Sequence, residues 1–204
     1  ENLNAVHTYT ANEDVTWSIN GGADADLFSI NSDTGALNYK VAPDFENPTD
    51  SGNNNVYDVT IRATDTGSNT TDHPITVTVS NLNEAPILSG DPAVLTSGRE
   101  NTAYTINASD LLQGYSDAEG DTLSVDSLSA PNGGSLTDNN NGTWTFTPTA
   151  DYNGAVDLTY NVIDGNGGSV AATQSFNLID TPDNIFTPIE STGNTTLYSA
   201  QDGK

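Results

Sequence analysis

Four stretches of this chain alternate apolar and polar residues with a period of two: "YDVTIRA" at 57–63, "ITVTV" at 75–79, "TWTFTP" at 143–148 and "DLTYNVI" at 157–163. A period of two sends successive side chains to opposite faces, so each stretch suits a strand with one buried and one solvated side. Turn-forming clusters, "NSDTG", "DNNNG" and "DGNGG", interrupt the alternation at short intervals, and helical periodicity is nearly absent. The pattern predicts antiparallel sheets stacked face to face.

The two halves also match each other. Glu1-Asn2 recurs as Glu100-Asn101, and Asp65 in "IRATDTG" recurs as Asp164 in "YNVIDGNG", both at an offset of 99. Apolar positions follow the same spacing: Val59 with Leu158, Ile61 with Tyr160, Val77 with Phe176, Val79 with Leu178. In between, "GALNYKVAPDFEN" meets "GTWTFTPTADYNG" at an offset of 107, the difference being absorbed by the longer loop "NPTDSGNNN" of the first half. A repeat of this kind implies one architecture used twice. The expected fold is therefore all-β, two tandem Greek-key sandwiches: a first domain over 1–84 and a second over 85–182. Residues 183–204 are expected to form the linker and opening strands of a following unit, being too few to fold by themselves.

Charge narrows the function. Against 28 acidic residues stand only Lys40, Arg62, Arg99 and Lys204, a net charge of −24. Nucleic acid and anionic membrane both need a basic surface, so neither is an expected partner, whereas divalent cations are. No cysteine is present, which removes disulfides and thiolate metal sites. Without Met, signal peptide or membrane span, the chain reads as a segment of a longer extracellular protein.

The carboxylates gather at strand ends: "EN" at 1–2, "DFE" at 44–46, "NLNE" at 81–84, "SDAEGD" at 116–121 and "DGN" at 164–166. A single Asp beside Gly is usually a turn former. Five oxygen-rich clusters in equivalent loops are another matter, since crowded like charges repel unless a cation neutralises them. Calcium takes six to eight oxygen ligands and suits such clusters. Zinc would want His or Cys, and His7 and His73 are too few.

With these residues in view, the sequence resembles the cadherin superfamily in the form found in very large bacterial surface adhesins of the RTX type. Glu1-Asn2, "DADLFSINSDTGAL", "APDFENP", "VTIRATD" and "NLNEAP" look like that family's motifs in their proper order over 1–86. "INASDLLQGYSDAEGDTLSV", "GTWTFTPTADYNG" and "YNVIDGNGGS" resemble a related bacterial repeat over about 100–180. The resemblance implies calcium ions between successive repeats. Carried over by position, the ligands would be Glu1, Asp44, Glu46, Asn81, Asn83 and Glu84 from the first unit and Asp117, Glu119, Asp121 and Asp164 from the second. Asp65, near Glu13 and Asp14, would face a preceding repeat, and Glu100, Asp151, Asp180 and Asp183 a following one. Asn81 stands where relatives carry Asp, and Asn153 where they carry Glu. Fewer charges imply fewer or weaker ions, near ~0.1–1 mM affinity.

The function expected is a calcium-rigidified, non-enzymatic adhesin segment on the cell surface that stiffens a long protein for attachment, with neighbouring repeats and a cell-surface glycan or protein ligand as partners. The alternative is a carbohydrate- or peptide-binding sandwich module. Trp17, Trp144, Tyr9, Tyr115 and Tyr152 could form a sugar platform, but Trp144 alternates with Phe146 along one strand and Tyr152 replaces Phe45, so core is the expected role. Paired carboxylates arise by chance among so many acids, and no nucleophile elbow or His-based triad accompanies them.

Overall fold

The computed structural model describes residues 1–181 together with the backbone of two further strands, Ile185–Ile189 and Leu197–Gln201. Asp183, expected as a ligand toward a following repeat, lies outside the described residues. The chain divides into two compact units, Glu1–Asn83 and Glu84–Lys204.

The first unit has six strands: β1 (Ala5–Thr8), β2 (Val15–Gly21), β3 (Phe28–Ile30), β4 (Ala36–Tyr39), β5 (Val56–Asp65) and β6 (Thr70–Thr78). They form two three-stranded antiparallel sheets, ordered β1-β4-β3 and β2-β5-β6. Alternation along β5 is what builds the core: Tyr57, Val59 and Ile61 are buried on one face and meet Phe28, Leu37 and Tyr39 of the other sheet. The rings of Phe28, Tyr39 and Tyr57 lie 4.5–6.3 Å apart, two of the three pairs edge-to-face, the arrangement aromatic quadrupoles favour. Gly22 (φ +104°) lets the chain pass directly over the backbone of Asp58, where any Cβ would collide. The crossing is locked by Asp24, whose buried carboxylate accepts from Asp58 N at 2.7 Å and Ser51 N at 2.6 Å.

In the second unit, β7 (Ile87–Leu88) pairs with β10 (Tyr115–Ser116). One sheet runs β11-β14-β15-β8, over Ser124–Ser129, Gly154–Ile163, Ser169–Ile179 and Gly98–Arg99; the other runs β12-β13-β9, over Gly134–Asp138, Thr143–Pro148 and Tyr104–Asn107. Val156, Leu158, Tyr160 and Val162 of β14 are buried against Phe146 and Ile106 from the facing sheet. The pairing β15–β8 is parallel. One helical turn, α1 (Ala108–Leu111), escaped the period-based reading, since four residues are too short to show a helical repeat. It buries Leu111, whose carbonyl receives the Tyr160 hydroxyl at 2.9 Å. The strands β16 (Ile185–Ile189) and β17 (Leu197–Gln201) pair antiparallel with each other.

The internal repeat survives at atomic detail. β1 and β9 start at Ala5 and Tyr104, 99 residues apart, and Asn2 and Asn101 both adopt left-handed backbone, φ 62° and 56°. Glu1 and Glu100 each accept a hydrogen bond from a backbone N–H 81 residues downstream, Leu82 at 2.6 Å and Thr181 at 2.8 Å.

Candidate metal centres

Among the described residues, each unit brings together a cluster of its own carboxylates. In the first unit, oxygens of Glu1, Asp44 and Glu46 lie within 4.8 Å of one another. Glu1 is held in place from both sides: Oε1 accepts from Leu82 N at 2.6 Å and Oε2 from Phe45 N at 2.7 Å. Asp44 is steered by Asn47 N, which donates to its Oδ1 at 3.1 Å.

In the second unit, Asp117, Glu119 and Asp121 bring carboxylate oxygens within 4.8 Å of one another on the segment between β10 and β11. Asp121 N donates to Asp117 Oδ1 at 3.1 Å, and Gly120, at φ +75°, supplies the left-handed residue that closes the turn. Glu84 N donates to Glu119 Oε1 at 3.4 Å. Asp117 Oδ2 and Glu119 Oε2 are buried and receive no hydrogen bond among the described residues. A buried carboxylate oxygen with no donor has lost water and gained nothing in return, which costs free energy unless a cation completes it. Calcium fits this donor set: all ligands are oxygen, and opposite ligands around it lie about 4.6–5.2 Å apart, twice its usual bond length.

The remaining expected ligands are distributed differently. Asp164 is buried and its Oδ1 caps the β14–β15 turn, accepting from the backbone N–H groups of Asn166, Gly167 and Gly168 at 2.7–3.0 Å. Gly168 has to be glycine, because a Cβ there would strike the Asp164 carboxylate and the Glu84 carbonyl. Asn166, which the sequence did not single out, ties this turn to the acidic cluster by donating to Asp121 Oδ2 at 2.6 Å. Its signal in the sequence is membership of the "DGN" cluster at 164–166 and of the "DGNGG" turn. Asp65 plays the matching part in the first unit, accepting from Asn69 N and Nδ2, both at 2.8 Å; these bonds hold its carboxyl below the usual range. Asn81 is exposed, while Asn83 and Glu84 are half-buried.

Glu100 is buried, and the Thr181 N–H above all, then the Thr181 hydroxyl, Asp180 and Asn153, outweigh burial and hold its carboxyl below the ordinary value. Asp151 and Asn101 pair reciprocally, Asp151 N to Asn101 Oδ1 at 3.0 Å and Asn101 Nδ2 to Asp151 Oδ1 at 3.1 Å. Glu100, Asp151 and Asp180 do not form a three-carboxylate group among the described residues, nor do Glu13, Asp14 and Asp65.

Residues 82–179, just under half of the chain, match the family model of a cadherin-like domain. No curated protein matches the chain. Among solved structures the chain is similar to human protocadherin-24 EC1-2, at 17% identity over 83% of this chain and 84% of that one, TM-score 0.48. It is also similar to the protocadherin gammaB7 EC3-6 cis-dimer structure, at 19% identity over 90% of this chain and TM-score 0.41. The chain spans 44% of that protein's length. An endo-fucoidan hydrolase of glycoside hydrolase family 107 shares 25% identity over 83% of this chain and 24% of its own, TM-score 0.35.

Proposed function

We propose that this chain is a segment of an extracellular adhesin, of the large bacterial surface type, in which calcium bound at the acidic clusters stiffens the linker 80–86. The observation that supports this reading best is the pair of buried, donor-less oxygens on Asp117 and Glu119 beside Asp121. The chain itself supplies the coupling to the linker. Glu1 of one cluster binds the Leu82 backbone, and Glu119 of the other accepts from the Glu84 backbone.

The mechanism is electrostatic. In a chain of net charge −24 the crowded carboxylates repel, and the backbone they hold is free to bend. A bound divalent ion replaces repulsion with shared coordination and adds its binding free energy to folding. Asp164, Asn166 and Gly168 position the second cluster, and Glu1 positions the first. The segment acts as a spacer with no catalytic role; its attachment targets are cell-surface glycans or proteins.

Calorimetric calcium titration, thermal melts and small-angle scattering in calcium and in chelator test this. Chelation is expected to lower the melting temperature and to give a more flexible scattering profile. Identical melts and profiles in the two buffers would end the proposal.

A further inference from the structure

Three Asn-x-Ser/Thr triplets with no proline at the middle position fall within the described residues: Asn69-Thr70-Thr71, Asn107-Ala108-Ser109 and Asn141-Gly142-Thr143. A fourth, Asn194-Thr195-Thr196, lies outside them. Such a triplet is the acceptor pattern for N-linked sugar, which is added at the asparagine Nδ2. All three described asparagines are exposed, so exposure does not choose among them. Hydrogen bonding does. Asn69 Nδ2 donates to Asp65 Oδ2 at 2.8 Å, and the Asn69 N–H donates to Oδ1 of the same carboxylate. Asn107 Nδ2 donates to Asp110 Oδ2 at 2.9 Å, and the residue is fixed between its pairing with Thr143 in the β9–β13 ladder and the start of α1. Each of these nitrogens has to leave a carboxylate before it can react.

Asn141 is arranged the other way round. It stands in 139–142, the exposed tip of the β12–β13 hairpin, between Asn140 (φ 57°) and Gly142 (φ 80°), both left-handed. Its Oδ1 accepts twice from Thr143, from the backbone N–H at 3.1 Å and from the hydroxyl at 2.7 Å. The hydroxyl is aimed, because Thr143 Oγ1 itself accepts from Asn139 Nδ2 at 2.9 Å. Asn141 Nδ2 has no hydrogen-bond partner among the described residues. Two donors on an amide oxygen draw electron density from its nitrogen and make the N–H easier to remove. We propose that Asn141 is the acceptor of an N-linked glycan on the folded chain, supplied by a glycosyl diphosphate through a transferase that reads the triplet. In the transfer, Nδ2 bonds to C1 of the sugar and the bond from C1 to the diphosphate oxygen breaks. The diphosphate leaves with that electron pair, and Nδ2 gives up one proton to the transferase. No member of either carboxylate cluster lies in 139–142, so the site does not depend on cation binding.

Freeing the amide of Asn69 or Asn107 breaks a hydrogen bond to a charged oxygen, so Asn141 should react at least about tenfold faster than either. The test gives the folded 204-residue chain two donors in separate reactions. One is UDP-glucose with a soluble N-glycosyltransferase; the other is a polyprenyl-diphosphate oligosaccharide with a membrane oligosaccharyltransferase. Synthetic peptides covering 65–73, 103–111 and 137–145 are acceptors without the fold and calibrate each enzyme's preference among the bare sequences. Peptide mapping by mass spectrometry locates the sugar. The expected result is a glycan at Asn141 in at least one reaction, lost in Asn141→Gln, with Asn69 and Asn107 at least about tenfold slower once corrected by their peptides. The reaction that succeeds identifies the class of donor. The proposal is overturned if Asn141 stays bare in both reactions, or if Asn69 or Asn107 is modified as fast as Asn141.

Discussion

The substitution Glu119→Gln separates a ligand from a brace. Glu119 Oε2 is buried without a donor, and Oε1 accepts a long hydrogen bond of 3.4 Å from Glu84 N. In chelator, the variant removes one negative charge from three crowded carboxylates and should stabilise the second unit by about 1 kcal/mol. With calcium the sign reverses. For a site of about 0.1 mM affinity, calcium at about 10 mM stabilises the folded state by about 2.7 kcal/mol. That is about 10–20 °C in melting temperature for a unit of this size. Weakening the site about tenfold by loss of a charged ligand removes about 1.3 kcal/mol of that, or about 5–10 °C. Calorimetric melts of parent and E119Q, each in chelator and in calcium, therefore cross: the variant is the more stable without calcium and gains less from adding it. A variant that loses the same amount in both buffers would show that Glu119 only braces the Glu84 backbone, and the reasoning would fail.

Three further outcomes follow from the geometry. Leu158 is fully buried at the centre of the second unit's core, so Leu158→Ala should cost about 2–5 kcal/mol, read by denaturant unfolding as a lower midpoint with unchanged slope. Gly168→Ala drives a Cβ into the Asp164 carboxylate and the Glu84 carbonyl, so it should weaken calcium affinity through the displaced Asn166–Asp121 bond while leaving circular dichroism unchanged. Burial opposes charging Asp50, yet donation from Asn54, Asn55 and Gly52 outweighs it and holds the carboxyl below its ordinary value. The stability this gives is complete above the unfolded-state value of about 3.9 and is lost as pH falls through the lower folded value. Amide exchange at residues 52–55 should accelerate in that acid window and, in Asp50→Asn, lose its pH dependence.

The sandwiches were legible because the physics that makes them is local: alternation along 57–63 and 157–163 names the buried faces of β5 and β14 residue by residue. The offset of 99 anticipated which residues stand in equivalent places, down to the left-handed Asn2 and Asn101. Within the candidate site, Asp117, Glu119 and Asp121 were visible as alternate acids around a glycine. What the sequence could not carry was the division of labour among carboxylates. Asp65 and Asp164 look as ligand-like as Asp117, but each spends oxygens on its own hairpin turn, and only backbone geometry reveals that. The bond from Asn166 to Asp121 is hidden for the same reason, since the two residues lie 45 positions apart.

The bonds from Glu1 to Leu82 and from Glu100 to Thr181 fasten each unit's own exit segment to its own first residues. Each unit therefore fixes the start of its exit segment with parts of its own. A gene encoding such a unit can be copied in tandem and every copy arrives with its exit already fastened. Length then becomes a matter of copy number, open to change by recombination without redesign of any single joint.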